Sequence, residues 1–429
     1  MRRFRNWSHR YESSPTRWET PSSEAEVAAI LARATAERTK VRPVGSGHSW
    51  SDVAMPPGAA LDLSNMRRVL AIDASARTVR VEAGIELTAL TAALDEVGFA
   101  MPILGSVSAQ TVAGAISTGT HGSSLEHGNL ASLVRSMRLV TATGDVLALG
   151  PGDDRFEAAR VSIGALGVIT EVELDVVPAF RLVESVELVS PLRVAEELDT
   201  IAKSAPFVKV WWLPHTGPMH VFRYARSSLP AQENHVARFL DEHVVNPYVF
   251  PAVLALARAV PATARPIHRA VARGYLDHPR APVARSDHAF NVAMPPIHDE
   301  TEWALDFDAA RDVLRDLVRE VDGHRWSIDF PLEVRFVRGD RAWMSPAYGR
   351  DTVHVGAYAT ESADQRAYFD TFSRLARAAL GRPHWGKECA LDPAYVRTVF
   401  PQSARFLALR DELDPARVLG NAYLERAFG

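Results

Sequence analysis

The sequence predicts a mixed α+β protein on three observations: a helical apolar stripe that leads into a short strand and a glycine loop, several runs that alternate like strands, and glycine turns between them. From Ser23 to Arg38, Glu24, Val27, Ile30 and Leu31 follow helical spacing behind a serine-rich start, and Lys40–Val44 reads as the strand that follows. Gly45-Ser46-Gly47 comes at once. Val69–Ile72 and Thr78–Glu82 alternate as strands, and Glu86–Val97 has helical spacing before Gly98. Ser136–Thr141 is a strand that meets a turn at Thr143-Gly144-Asp145. Between Gly164 and Val177 a glycine-pinned strand sets Val168, Thr170, Val172 and Leu174 on one face.

A first domain is expected to close near residue 178, because the chain changes character there. Arg181–Val189 is strand-like, and Val210-Trp211-Trp212-Leu213-Pro214 is an aromatic stretch. Gln232–Arg273 is rich in Ala and Arg without an interpretable motif, and reads as a helical insertion or an oligomer contact. Pro261–Pro266 and His278–Pro282 are the loop candidates. The last part, Glu361–Gly429, reads as a helix, a motif-rich loop and a short amphipathic end.

Bulk properties narrow the function classes. The 429 residues suffice for two cores. With 48 Lys+Arg against 52 Asp+Glu there is no basic field to favour nucleic acid, so a small-molecule partner is expected. A single cysteine, Cys389, rules out an internal disulfide and a thiolate-rich metal site, which fits a reducing cytoplasm. No metal is expected. The N-terminus starts basic but continues polar, unlike a secretory signal. Val244–Val260, interrupted by Pro247, Pro251 and Arg258, is too short to span a bilayer and reads as a soluble helix.

Gly45, Ser46, Gly47, His48, Ser49 and Trp50 follow a strand, and glycines there let successive backbone N–H groups turn toward an anion such as a pyrophosphate. Gly-Ser-Gly also suits a plain tight turn. It is neither the Rossmann fingerprint nor a P-loop. A second segment, Gly105 through Ser123, combines Ser106, Thr111, Thr118 and Thr120 with glycines, giving short donors with little bulk around a buried Val112, Ala113, Ala115 and Ile116. Either it approaches a flat phosphate-linked ligand or it is a surface loop rich in hydroxyls.

On the substrate side, Glu333 and Arg335 sit two apart on the alternating run Pro331–Val337 and so share a face. Such a pair is either an exposed ion pair or a carboxylate held ionised beside donors for a hydroxyl-bearing ligand, with Glu333 accepting a hydroxyl proton. Lys387 follows Arg382-Pro383-His384-Trp385-Gly386, and a cation there would stabilise a developing alkoxide. His354, Gly356 and Tyr358 share one face of the next strand.

Together Val44–Ser51, Pro102–Gly122, Gly164–Glu171, Glu333–Phe336, Ser345-Pro346 and His384–Lys387 make the sequence resemble the aldonolactone oxidases of the vanillyl-alcohol-oxidase-like flavoproteins, with alditol oxidases as near cousins. The resemblance implies a two-subdomain FAD-binding domain of the PCMH type over 1–178, a cap domain with a large antiparallel sheet over 179–370, and a segment 371–429 returning toward the flavin. It implies FAD bound covalently through His48, with the pyrophosphate on Gly45, Ser46, Gly47 and Ser49. Gly105, Ser106, Thr111, Gly114, Thr118, Gly119, Thr120 and His121 would line the flavin, Ile169 the adenosine end, and His384 the flavin more weakly. Glu333, Arg335 and Lys387 would be catalytic, joined by Ser106 and Tyr358 in binding substrate.

The implied reaction oxidises a secondary hydroxyl of a gulono-, galactono- or arabinono-1,4-lactone, with hydride passing to flavin N5. Alditol oxidases carry a histidine and a threonine where this chain has Gly356 and Tyr358, which favours a ring-shaped substrate over an open polyol. Gly105 stands where dehydrogenases of the group often carry alanine, so oxygen is expected as acceptor, giving hydrogen peroxide. An alditol oxidase and a lactone dehydrogenase remain the alternatives.

Overall fold

The computed structural model describes residues 2–260, 263–279, 283–291 and 296–429. The helix Glu24–Glu37 starts where the Ser23 hydroxyl accepts from Glu26 N and ends at Arg38, whose φ of 54° turns the chain left-handed. It buries Val27, Ile30, Leu31 and Ala34 with Val41, Ala59 and Leu61 of a parallel three-stranded sheet, ordered Arg17–Glu19, Ala59–Asp62, Val41–Val44. That sheet ends at the Gly45 loop.

The second sheet is antiparallel and ordered Val146–Leu149, Val134–Val140, Val168–Asp175, Thr78–Glu82, Val69–Asp73. The helices Leu87–Glu96 and Val112–Thr118 pack into its core with Leu90, Leu94, Val112 and Ile116. Every strand and helix expected before residue 178 is present within a residue or two.

From Arg181 the chain builds an eight-stranded antiparallel sheet, ordered Ala284–Arg285, Arg181–Val189, Met219–Ser227, Phe207–Trp212, Leu332–Val337, Thr352–Ala359, Asp299–Leu305, Arg382–Pro383. One face is apolar. Val210, Trp212, Trp303, Val334 and Val355 pack there beneath the helices Phe307–His324 and Ala363–Ala378. Strand alternation sends the intervening residues to the opposite face, toward the glycine loops. The C-terminal helices bury Phe400, Phe406, Tyr423 and Phe428 in the core that also contains Val81 and Ile116.

Gln232–Arg273 is helical in its described part: His235–Leu240, a π-helical turn Asp241–Val249, then Phe250–Ala259 and Ala264–Val271. The loop expected at Pro261–Pro266 is corrected: a helix begins at Ala264, and Pro266 sits in its first turn, where a missing N–H leaves no helix bond unmade. Pro261 and Ala262 lie outside the described residues, as do Arg280–Pro282 of the other expected loop. Among the described residues no helix is long and apolar enough to cross a membrane.

Candidate active site

Two cavities meet at His48, Ser49, Gln110 and Thr118, which line both. One, of about 340 Å³, is bounded by Gly45, Ser46, Gly47, Thr111, Gly114 and Ile169. The other, of about 250 Å³, contains Gly105, Ser106, Thr120, His121, Glu333, Arg335, Tyr358, His384 and Lys387. Together they form one bent cleft between the glycine loops and the polar face of the large sheet. Gly119 alone among the expected cleft residues lies in neither. It caps the helix Val112–Thr118 with φ of 73°, and a Cβ there would face Pro346, Val161 and Asn129.

The glycine-loop cavity suits a phosphate-linked dinucleotide. Thr111 caps the same helix through Gly114 N, which fixes the helix N-terminus toward the cavity. His48 points between the two cavities, with its ring near Trp7 at 6.3 Å. Its Nδ1 is buried with no hydrogen-bond partner among the described residues, which is costly for a polar atom unless a ligand meets it. Burial pushes the imidazole below its ordinary range, so the ring stays neutral.

In the second cavity the sheet register assembles the charges. Trp211 is opposite Glu333, Glu333 opposite Gly356, and Gly356 opposite Glu302, so one cross-strand row carries both carboxylates. Lys209 is opposite Arg335 in the next row. Glu333, only 4% exposed, accepts from Trp211 Nε1 at 2.7 Å and Tyr358 Oη at 2.8 Å, and pairs with Arg335 Nη2 at 2.8 Å. Its strand lies inside the sheet, so this is no exposed edge pair. Burial alone would raise the carboxyl pKa, but Arg335 and then Lys209 outweigh it and hold Glu333 ionised. Arg335 also donates to Ser106 Oγ at 2.6 Å and to His121 O at 3.3 Å, tying the sheet to the second glycine segment.

Lys387 forms an ion pair with Glu300 and lies 3.9 Å over the Trp50 ring. Glu300 Oε1 is buried without a hydrogen-bond partner among the described residues. Burial drives this carboxyl well above the usual range, Lys387 counteracts in part, and Glu302 raises it further. Glu302 itself accepts from His121 Nε2 and His354 Nδ1, each at 2.7 Å; despite burial, His121 and the hydrogen bonds from both rings hold it well below the ordinary value. Burial keeps His384 and His354 neutral, His354 down to about 4. His298, at about 4 for the same reason, packs against Trp50, Phe330 and Tyr358.

Sequence reasoning missed Lys209, Trp211, His298, Glu300 and Glu302. Glu300 and Glu302 had a signal: Asp299–Leu305 alternates acidic residues with Thr301 and Trp303 in a strand buried along its whole length. Trp211 stood in the aromatic stretch Val210–Pro214 without a role, and nothing local marked Lys209 or His298. Of the face His354, Gly356 and Tyr358, only Tyr358 reaches the cavity, because His354 is engaged by Glu302.

Comparison with known proteins agrees with this architecture. The family described as D-arabinono-1,4-lactone oxidase is matched over residues 172–427, and the one described as FAD binding domain over 15–150. The chain is 33% identical to an L-gulono-1,4-lactone dehydrogenase of Mycobacterium tuberculosis strain H37Rv, covering 99% of this chain and 98% of that one. It is 30% identical to the L-gulonolactone oxidase of Bos taurus over 99% and 98% of the two chains. An alditol oxidase of a Streptomyces species is 31% identical over 98% and 97%. The crystal structure of cholesterol oxidase from Brevibacterium sterolicum superposes with a TM-score of 0.83 at 15% identity, over 100% of this chain and 96% of that one, which shows a shared fold.

Proposed function

Because the chain belongs to the D-arabinono-1,4-lactone oxidase family of FAD-dependent oxidoreductases, we propose that it oxidises a secondary hydroxyl of a sugar 1,4-lactone to the ketone, with oxygen reduced to hydrogen peroxide. The observation that carries this reading is the buried Glu333–Arg335 pair standing in one cavity with Lys387, open to the glycine-loop cavity at His48. Residues 1–178 would hold the cofactor, 179–370 cover it, and 371–429 return to it.

FAD, when bound, would supply the acceptor for the hydride that leaves the alcohol carbon and the route of that electron pair to oxygen. In this reading His48 carries the covalent link, Gly45, Ser46, Gly47 and Ser49 receive the pyrophosphate, and Thr111, Gly114, Thr118 and Ile169 line the rest of that cavity. Gly105, Ser106, Thr120, His121 and His384 surround the reacting end. Glu333 and Arg335 orient the substrate oxygens, and Lys387 stabilises negative charge developing on the reacting hydroxyl oxygen as its proton leaves. Beside Glu333, Glu300, one of whose oxygens pairs with Lys387, is a second acceptor for that proton.

A lactone dehydrogenase is the second reading, favoured by the 33% identity to the mycobacterial dehydrogenase against 30% to the bovine oxidase. Gly105 argues for the oxidase, since it leaves the space a methyl would fill within 3.1 Å of Thr120 Cγ2. The test is the visible spectrum of the purified protein, mixed without air with gulonolactone, arabinonolactone or xylitol and then aerated. Bleaching by a lactone with fast recovery supports the proposal. Slow recovery makes the enzyme a dehydrogenase, and bleaching by xylitol alone makes it an alditol oxidase.

A further inference from the structure

We infer that the alcohol oxidised here carries an apolar extension of alkyl or acyl character, lodged beneath the helices between Met219–Ser227 and Ala284–Arg285. The inference rests on the reading above, that the hydroxyl reacts beside Glu333 and Lys387. The cavity holding those groups has two ends of opposite chemistry. At the sheet end are Glu333, Arg335, Lys387 and Ser106; at the other the wall is Phe250, Val253, Leu254, Ile267, Val271 and Leu276. Positions 250, 253 and 254 fall on one helix face, as do 267 and 271 on the next, so the insertion turns a mainly apolar surface inward, interrupted by Asn246, His268 and Tyr275.

Two polar groups of that wall, Asn246 and Tyr275, are engaged within the insertion, while His268, both of whose ring nitrogens are buried without a partner among the described residues, lines the cavity among these apolar side chains, near Asp329. Asn246 donates to Asp241 O at 3.0 Å, and the Tyr275 hydroxyl donates to the Asp241 carboxylate. Burial keeps His268 below the usual imidazole range and uncharged. A free sugar lactone bears a hydroxyl on nearly every carbon, and each one stripped of water against this wall loses roughly tenfold in affinity. A methylene placed there instead gains roughly fourfold. The polar end therefore selects the reacting head, and the apolar end selects a tail that a simple lactone lacks.

The test uses the holoenzyme with aldonolactones esterified at the terminal side-chain hydroxyl by acetyl, butyryl, hexanoyl and octanoyl groups. The readout is kcat/KM from anaerobic flavin bleaching, with binding of each ester followed separately by the shift of the flavin spectrum. The expected result is a rise of roughly fourfold per added methylene in both readouts until the cavity is filled. The double substitution Leu254→Asn, Val271→Asn should flatten that slope. Should it fail to fold, the wild-type slope decides alone. Turnover of free lactones with a flat or falling slope overturns the inference and leaves the proposed function standing. Failure of every lactone and polyol, tailed or not, to bleach the flavin overturns both, whereas bleaching by the tailed esters alone upholds the inference.

Discussion

Tyr358 donates its hydroxyl to Glu333 Oε2 at 2.8 Å, across neighbouring strands and within the cavity that holds Lys387. With Trp211 on the other oxygen and Arg335 alongside, the Glu333 carboxylate is fixed in orientation and charge. Glu333→Gln keeps the size but loses the charge that pairs with Arg335. It is expected to lower kcat by roughly 10²- to 10⁴-fold with flavin content unchanged. Tyr358→Phe, which removes one hydrogen bond to a charged group, should cost roughly tenfold in kcat/KM. Steady-state kinetics on the lactone that bleaches the wild type measures both.

His48 is assigned the covalent link, so denaturation with acid should leave yellow colour and one FAD mass on the wild-type chain. His48→Ala should release all its flavin under the same treatment. Free flavin in the wild-type supernatant, with an unmodified intact mass, would refute the link.

Glu300 has its pKa raised, to about 7, because burial disfavours the charge. If ionised Glu300 is needed to hold Lys387 or to take a proton, kcat/KM rises with pH through about 7, and Glu300→Gln flattens that acid limb. The sign for stability is opposite. A carboxyl whose folded pKa exceeds its unfolded one favours the fold at low pH, and that contribution is lost as pH climbs through about 7. Glu300→Gln should therefore be less pH-sensitive in thermal unfolding above pH 5 or so.

Gly105→Ala places a methyl 3.1 Å from Thr120 Cγ2 and 3.3 Å from His121 O. It should slow recovery of the oxidised spectrum in air while leaving anaerobic bleaching by the substrate within a few-fold. The crowding costs about 1 kcal/mol of stability. Stopped-flow traces of the two half-reactions separate the effects.

Arg42 is buried and donates to Val53 O, Ile163 O, Gly164 O and Leu419 O at 2.6–3.1 Å, so one guanidinium joins the segment after the glycine loop, the turn before the strand Val168–Asp175 and the C-terminal segment. Arg42→Ala leaves these carbonyls without their donor and opens a cavity. A loss of about 3 kcal/mol or more is expected, read from denaturant unfolding of the holoprotein.

The sequence by itself determined the elements up to residue 178, the His48 loop between a strand and a glycine turn, and the shared face of Glu333 and Arg335. These depend on periods of 3.6 and 2 and on glycine backbone freedom, which act over a few residues. Alternation says which residues share a face but not which strand lies alongside. Only the tertiary register set Trp211 opposite Glu333, brought Glu302 into the same row, and stood Glu300 against Lys387. It also closed the distance between the ends of the chain, where Trp50 N donates to Gly386 O at 2.7 Å. The apolar wall of the insertion belongs to the same class: Phe250, Leu254 and Val271 read as ordinary helical hydrophobics, and folding decided that they face a cavity with a charged floor.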